Sequence, residues 1–130
     1  MKFLFVLTIV LPLTALADWR FREYDKNTGI TYRLDYESIK ETGDYVFFRT
    51  LIDLNRPFAN GTVSIEQHHK ANCDNHQITW EKKFFYADSL GMGKIIKQDK
   101  NTNLRWGYAL SGSFYDRSLN FVCDFVTPNN

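Results

Sequence analysis

Apolar and polar residues alternate along most of this chain. Ile30, Tyr32, Leu34 and Tyr36 fall on one side of an extended segment, with Thr31, Arg33 and Asp35 on the other. The clearest run is residues 45–54: Val46, Phe48, Thr50, Ile52 and Leu54 form a mostly apolar set, and the opposite set holds Arg49 and Asp53. A period of two marks a strand in a sheet with one covered face. Residues 19–24 begin with the same alternation and lose it. Residues 62–70 predict a further strand with Val63 and Ile65 inward. Residues 76–86 predict another, with Ile78, Trp80, Phe84 and Tyr86 on one side, and residues 94–97 a short last one before the polar run 98–103. The breaks between them carry turn chemistry: Asn27-Thr28-Gly29, a 55–61 loop containing Asn60-Gly61, Asn72-Cys73-Asp74-Asn75, and Ser89-Leu90-Gly91-Met92-Gly93. The polar segment 37–43 predicts one helical turn stopped by Gly43.

The period changes near the C-terminus. Tyr115, Leu119, Val122 and Cys123 are spaced i, i+4, i+7 and i+8, one stripe of a helix. Ser113 followed by Asp116 resembles a capping box with Asp in place of Glu. A helix over about 114–124 follows. Strand after strand with short connections predicts an α+β fold: an antiparallel meander of about six strands with a C-terminal helix packed on one face. An aromatic content of 16% suits the pleated, half-buried surface of a sheet.

The N-terminus follows a different pattern. Lys2 precedes an apolar run over residues 3–13, and Ala15-Leu16-Ala17 offers the small side chains that signal peptidase accepts. Residues 1–17 therefore read as a secretory signal peptide, leaving 18–130 as a single domain. The apolar stretch is shorter than the roughly 20 residues needed to span a bilayer, so no transmembrane segment is expected in the mature chain. The expected location is outside the cytoplasm: periplasmic, or at the cell surface or secreted. The chain holds two cysteines, Cys73 and Cys123. An even number in an exported chain argues for a disulfide, the alternative being two buried free thiols. Lys and Arg total 16 against 15 Asp and Glu, and Lys2 belongs to the leader. A balanced domain without a basic block gives no electrostatic reason to bind nucleic acid.

No catalytic motif emerges. His68, His69 and His76 surround Cys73, but the spacing fits no zinc finger, and adjacent strand residues point to opposite faces. They read as exposed strand and loop residues, and no metal or cofactor is expected. Asp35, Glu37, Glu41 and Asp44 cluster around a turn, where acids solvate loops. No nucleophile elbow surrounds the serines at 111, 113 and 118, and Gly91-Met92-Gly93-Lys94 lacks phosphate-loop spacing. Asn60-Gly61-Thr62 is formally a glycosylation acceptor and reads more simply as a hairpin turn. Arg20, Arg22, Arg33 and Arg49 can gather on the polar side of neighbouring strands. An Arg- and Tyr-rich sheet face is either a protein-binding surface or an ordinary solvated one.

Several segments resemble a known family. Tyr32-Arg33-Leu34-Asp35-Tyr36-Glu37-Ser38-Ile39-Lys40 with Gly43, then Val46-Phe47-Phe48-Arg49 and Leu51-Ile52-Asp53, look like consecutive stretches of the surface-adhesin protein E family. Cys73, Tyr86 and Gly91-Met92-Gly93 are similar to its middle, and Trp106, Ser113 and Cys123 to its end. The resemblance implies a compact antiparallel sheet with the C-terminal helix fastened across it by a Cys73–Cys123 bridge. It further implies a non-enzymatic bacterial domain that binds host matrix or serum proteins, with a homodimer as a possible assembly. The family's type member is lipid-anchored, whereas no Cys follows the apolar run here. A periplasmic inhibitor or accessory factor, binding an envelope protein or an enzyme, is the alternative function.

Overall fold

The computed structural model describes residues 19–127, so the leader at 1–17 lies outside the described residues. Six strands follow in chain order: β1 (Trp19–Asp25), β2 (Ile30–Thr42), β3 (Tyr45–Asp53), β4 (Ser64–Asn72), β5 (Gln77–Tyr86) and β6 (Ile95–Lys100). All neighbours are antiparallel and the sheet order is β1-β2-β3-β4-β5-β6, a meander. A single-turn 3₁₀ segment, Ser89–Gly91, precedes β6, and one helix, α1 (Phe114–Val126), closes the described chain.

The helix starts where its cap predicts. Ser113 is extended, and its hydroxyl accepts from the Asp116 backbone N–H at 3.2 Å. Phe114, Leu119 and Val122 are buried against Leu34, Val46, Phe48 and Ala71 of the sheet. Aromatic rings extend this core along β1 and β2: Tyr32 stacks on Phe114 at 5.0 Å and Tyr36 on Phe121 at 4.8 Å. Cys73, just beyond β4, is bonded to Cys123 in the last turns of α1, with Cα atoms 5.6 Å apart. At the other end of the helix, the Arg117 guanidinium donates to both carboxylate oxygens of Glu23 on β1.

Three local expectations are corrected. Residues 37–43 do not form a helical turn; β2 continues to Thr42, and Gly43-Asp44 makes a two-residue hairpin turn into Tyr45. The register of β2 on β3 shifts between Asp35 and Lys40. There, Ser38 Oγ donates to the Asp35 carbonyl and accepts from the Arg49 N–H, side-chain bonds that stand in for missing ladder bonds. The second correction concerns β5. Its register on β4 shifts between His68 and His69, with Glu81 as the extra residue. Beyond this bulge the strand changes sides: Ile78 and Trp80 face the helix, whereas Phe84 and Tyr86 face away. Third, His69 is not an exposed strand residue. It is 5% exposed, stacked on Phe48 at 5.1 Å, with Nε2 2.8 Å from Thr50 Oγ1.

Candidate binding face

Directly opposed residues on neighbouring strands share a face, so the register arranges the side away from α1 into rows. One row runs Trp19, Asp35, Arg49, His68, Lys82, Lys100, taking one residue from each strand. The next runs Arg22, Arg33, Leu51, Glu66, Phe84, Gln98. Beyond it lie Tyr24, Thr31, Asp53, Ser64 and Tyr86.

The part of this face nearest the Ser89–Gly91 turn is closed. Ser64 Oγ donates to the Asp88 carbonyl at 2.6 Å and accepts from the Gly91 N–H at 2.9 Å. The Leu90 N–H donates to Asp53 at 2.8 Å. Leu51, beneath this turn, is fully buried although it faces away from the helix.

The middle of the face is an ion-pair network. Arg33 pairs with Asp53. Arg49 donates to Asp35 with one nitrogen and to Glu66 with another, the second at 2.9 Å. Asp35 is completely buried and also accepts from the Glu37 N–H at 3.1 Å. Glu66 further accepts from the Tyr86 hydroxyl at 2.9 Å and lies 3.3 Å from His68 Nε2. Burial acts to raise the Glu66 pKa, but hydrogen bonds from His68 and Tyr86 and the charge of Arg49 outweigh it, so the carboxyl is held below its ordinary value. Burial, and then the bond to Glu66, push the Tyr86 phenol up to about 12. The Trp19 ring lies under the Arg49 guanidinium, 5.8 Å from its centroid.

These contacts show what each sequence-derived candidate does. Arg22, Arg33 and Arg49 share this face. Arg49 holds the buried carboxylates of Asp35 and Glu66 and Arg33 the half-buried one of Asp53, whereas Arg22 is exposed beside Arg33. Arg20 sits where the β1 register shifts, between Trp19 and Phe21, and is exposed. His68 and His69 do take opposite faces. His76 lies at a turn, 3.4 Å from Asp116. Among the described residues, no three His, Cys, Asp or Glu side chains are grouped to hold a metal ion. Lys82 and Lys100 were missed because strict alternation gave no reason to place them beside Arg49. The polar triplet Glu81-Lys82-Lys83 interrupting an apolar strand pattern was the available sign of a bulge.

Comparison with known proteins decides the family. The profile described as Surface-adhesin protein E matches residues 21–124. The chain belongs to the surface-adhesin protein E family. The fold of this adhesin E domain is also found in solved structures. Protein E of Haemophilus influenzae matches with a TM-score of 0.61 at 17% identity, over 76% of this chain and 81% of that one. Protein E from non-typeable Haemophilus influenzae matches with a TM-score of 0.60 at 18% identity, over 82% and 77%. A further crystal form of the Haemophilus influenzae protein has a TM-score of 0.55 at 19% identity, over 72% and 80%. No curated protein sequence matches. Among the described residues, no helix is long and apolar enough to cross a membrane.

Proposed function

We propose that this protein is an exported surface adhesin that binds host matrix or serum proteins without performing chemistry, and that its open sheet face makes the contact. The observation that carries this reading is the family match spanning nearly the whole described domain. The geometry supports it. The helix covers one side of the sheet, leaving Arg22 and Tyr24 exposed on the other, with Tyr24 62% accessible. Arg and Tyr are favoured at the centres of protein interfaces. Asp35 and Glu66 of this face bond to Arg49, and Asp53 to Arg33.

The test is binding of the purified exported protein to immobilised extracellular-matrix and serum proteins. Arg22→Glu with Tyr24→Ala is expected to weaken capture about tenfold or more, as loss of interface anchors does. Asn120→Ala, on the exposed side of the helix, is expected to leave it unchanged. Undiminished capture by the Arg22/Tyr24 variant would move the contact off this face. Absence of capture by the unaltered protein would contradict the adhesin reading. A homodimer belongs to the same proposal, and sedimentation at micromolar concentration tests it.

A further inference from the structure

We infer that the Arg49–His68–Lys82–Lys100 half of the open face is a binding track for a linear sulfated polysaccharide. The inference stands on the charge pattern of the sheet and does not rest on the adhesin reading.

The starting observation is a broken rule. Like charges directly opposite each other in a sheet destabilise it, yet Lys82 lies opposite Lys100 and continues the row that runs from Arg49 through His68. Lys82 and Lys100 are exposed, and neither forms an ion pair among the described residues. No ion pair among the described residues offsets the pairing, and departures of this kind are expected at functional or strained sites. The bulge at Glu81 creates the arrangement, because it turns Lys82 onto the face that carries Arg49.

The shape fits a chain better than a compact ligand. Arg49 to Lys100 spans three strand gaps, about 14–15 Å. Along that line lie two open depressions that share Lys82. One, of about 480 Å³, is lined by Arg49, His68, Phe47 and Ser38; the other, of about 290 Å³, by Lys100, Phe84 and Gln98. Phe47 and Phe84 supply apolar flanks on which sugar rings can lie.

The cations available decide how an anionic partner is held. The rigid fork of arginine grips carboxylates and other oxyanions bidentately. Here, the one arginine in the track is already bonded to Asp35 and Glu66. The cations left over are lysines, point charges on flexible stems, which suit sulfate groups spaced along a polymer. Besides Asp35 and Glu66, which hold Arg49, two further carboxylates border the track. Asp99 is 3.4 Å from Lys97, and Glu81 lines the larger depression.

The test uses the exported protein on immobilised heparin as the probe. Retention is expected at 0.15 M ionic strength, where exposed charges beyond about 8 Å are screened. Lys82→Ala with Lys100→Ala is expected to weaken binding about tenfold and to make its salt dependence shallower. The charge-matched pair Lys26→Ala with Lys94→Ala, away from the row, is expected to change little, and Glu81→Gln to strengthen retention. Unchanged melting curves would show that these substitutions leave the fold intact. The proposal fails if the unaltered protein is not retained, or if both lysine pairs weaken retention equally. It fails equally if polyglutamate or phosphatidylglycerol vesicles bind at least as tightly as heparin.

Discussion

At the scale of single residues, two buried polar groups make contrasting contributions. Ser118 is fully buried on the core side of α1, and its hydroxyl has no hydrogen-bond partner among the described residues. An unmade buried hydrogen bond costs about 1–3 kcal/mol, and serine is also a poorer helix former than alanine. Ser118→Ala is therefore expected to stabilise the protein by about 1 kcal/mol, seen as a rise of roughly 4 °C in melting temperature; a fall would mean that the hydroxyl has a partner. His69 is the opposite case, a buried ring with its polar atoms engaged. Burial, and then the charges of Lys83 and His68, lower its pKa from 6.5 to about 3. The folded state thus keeps this ring neutral while the unfolded chain protonates it near pH 6.5. The contribution is full above pH 6.5, declines as pH falls, and levels off near pH 3. Urea titrations between pH 6.5 and 5.5, above the ordinary value of 4.5 at which Glu66 titrates in the unfolded chain, should show stability falling by up to about 1.4 kcal/mol per pH unit. His69→Gln should remove that part of the slope; an identical slope in the variant would contradict the burial of a neutral ring.

At the scale of elements, the Cys73–Cys123 bridge ties the end of β4 to the last turns of α1 and closes a loop of 50 residues. On the chain-entropy model such a loop stabilises the fold by about 4 kcal/mol. Reduction, or Cys73→Ala with Cys123→Ala, should lower the urea midpoint by a corresponding amount. An unchanged midpoint would show that helix docking does not depend on the bridge. Most elements were legible in the sequence, for clear physical reasons. Period two in residues 45–54 reflects one covered face, and the change to helical spacing at Tyr115, Leu119 and Val122, with Ser113 before it, reflects a capped amphipathic helix. What alternation could not show were the two places where the ladder is irregular. At Asp35–Ser38, side-chain hydrogen bonds replace ladder bonds, so a polar strand segment reads as a helical turn. At Glu81, one extra residue reverses the sides of Phe84 and Tyr86. The candidate face depends on both places. Arg33 and Arg49 could be placed together from their strands, but their carboxylate partners, and the lysines beside them, depend on cross-strand register.

At the scale of the whole molecule, the balanced charge conceals a division between two sides. The helix side is an aromatic core closed by a disulfide. The open side holds an internal ion-pair network, bordered by Lys82 and Lys100, which form no ion pair among the described residues. The family match and the shared fold with protein E of Haemophilus influenzae place it among adhesin E domains, and the proposal that it acts as an adhesin requires that the open side reach the cell exterior. The most direct test is protease shaving of intact cells of the native host, followed with an antibody to residues 18–130, beside cells with a permeabilised outer membrane. Digestion on intact cells is the expected result. Protection until the outer membrane is permeabilised would place the domain in the periplasm and contradict the adhesin function.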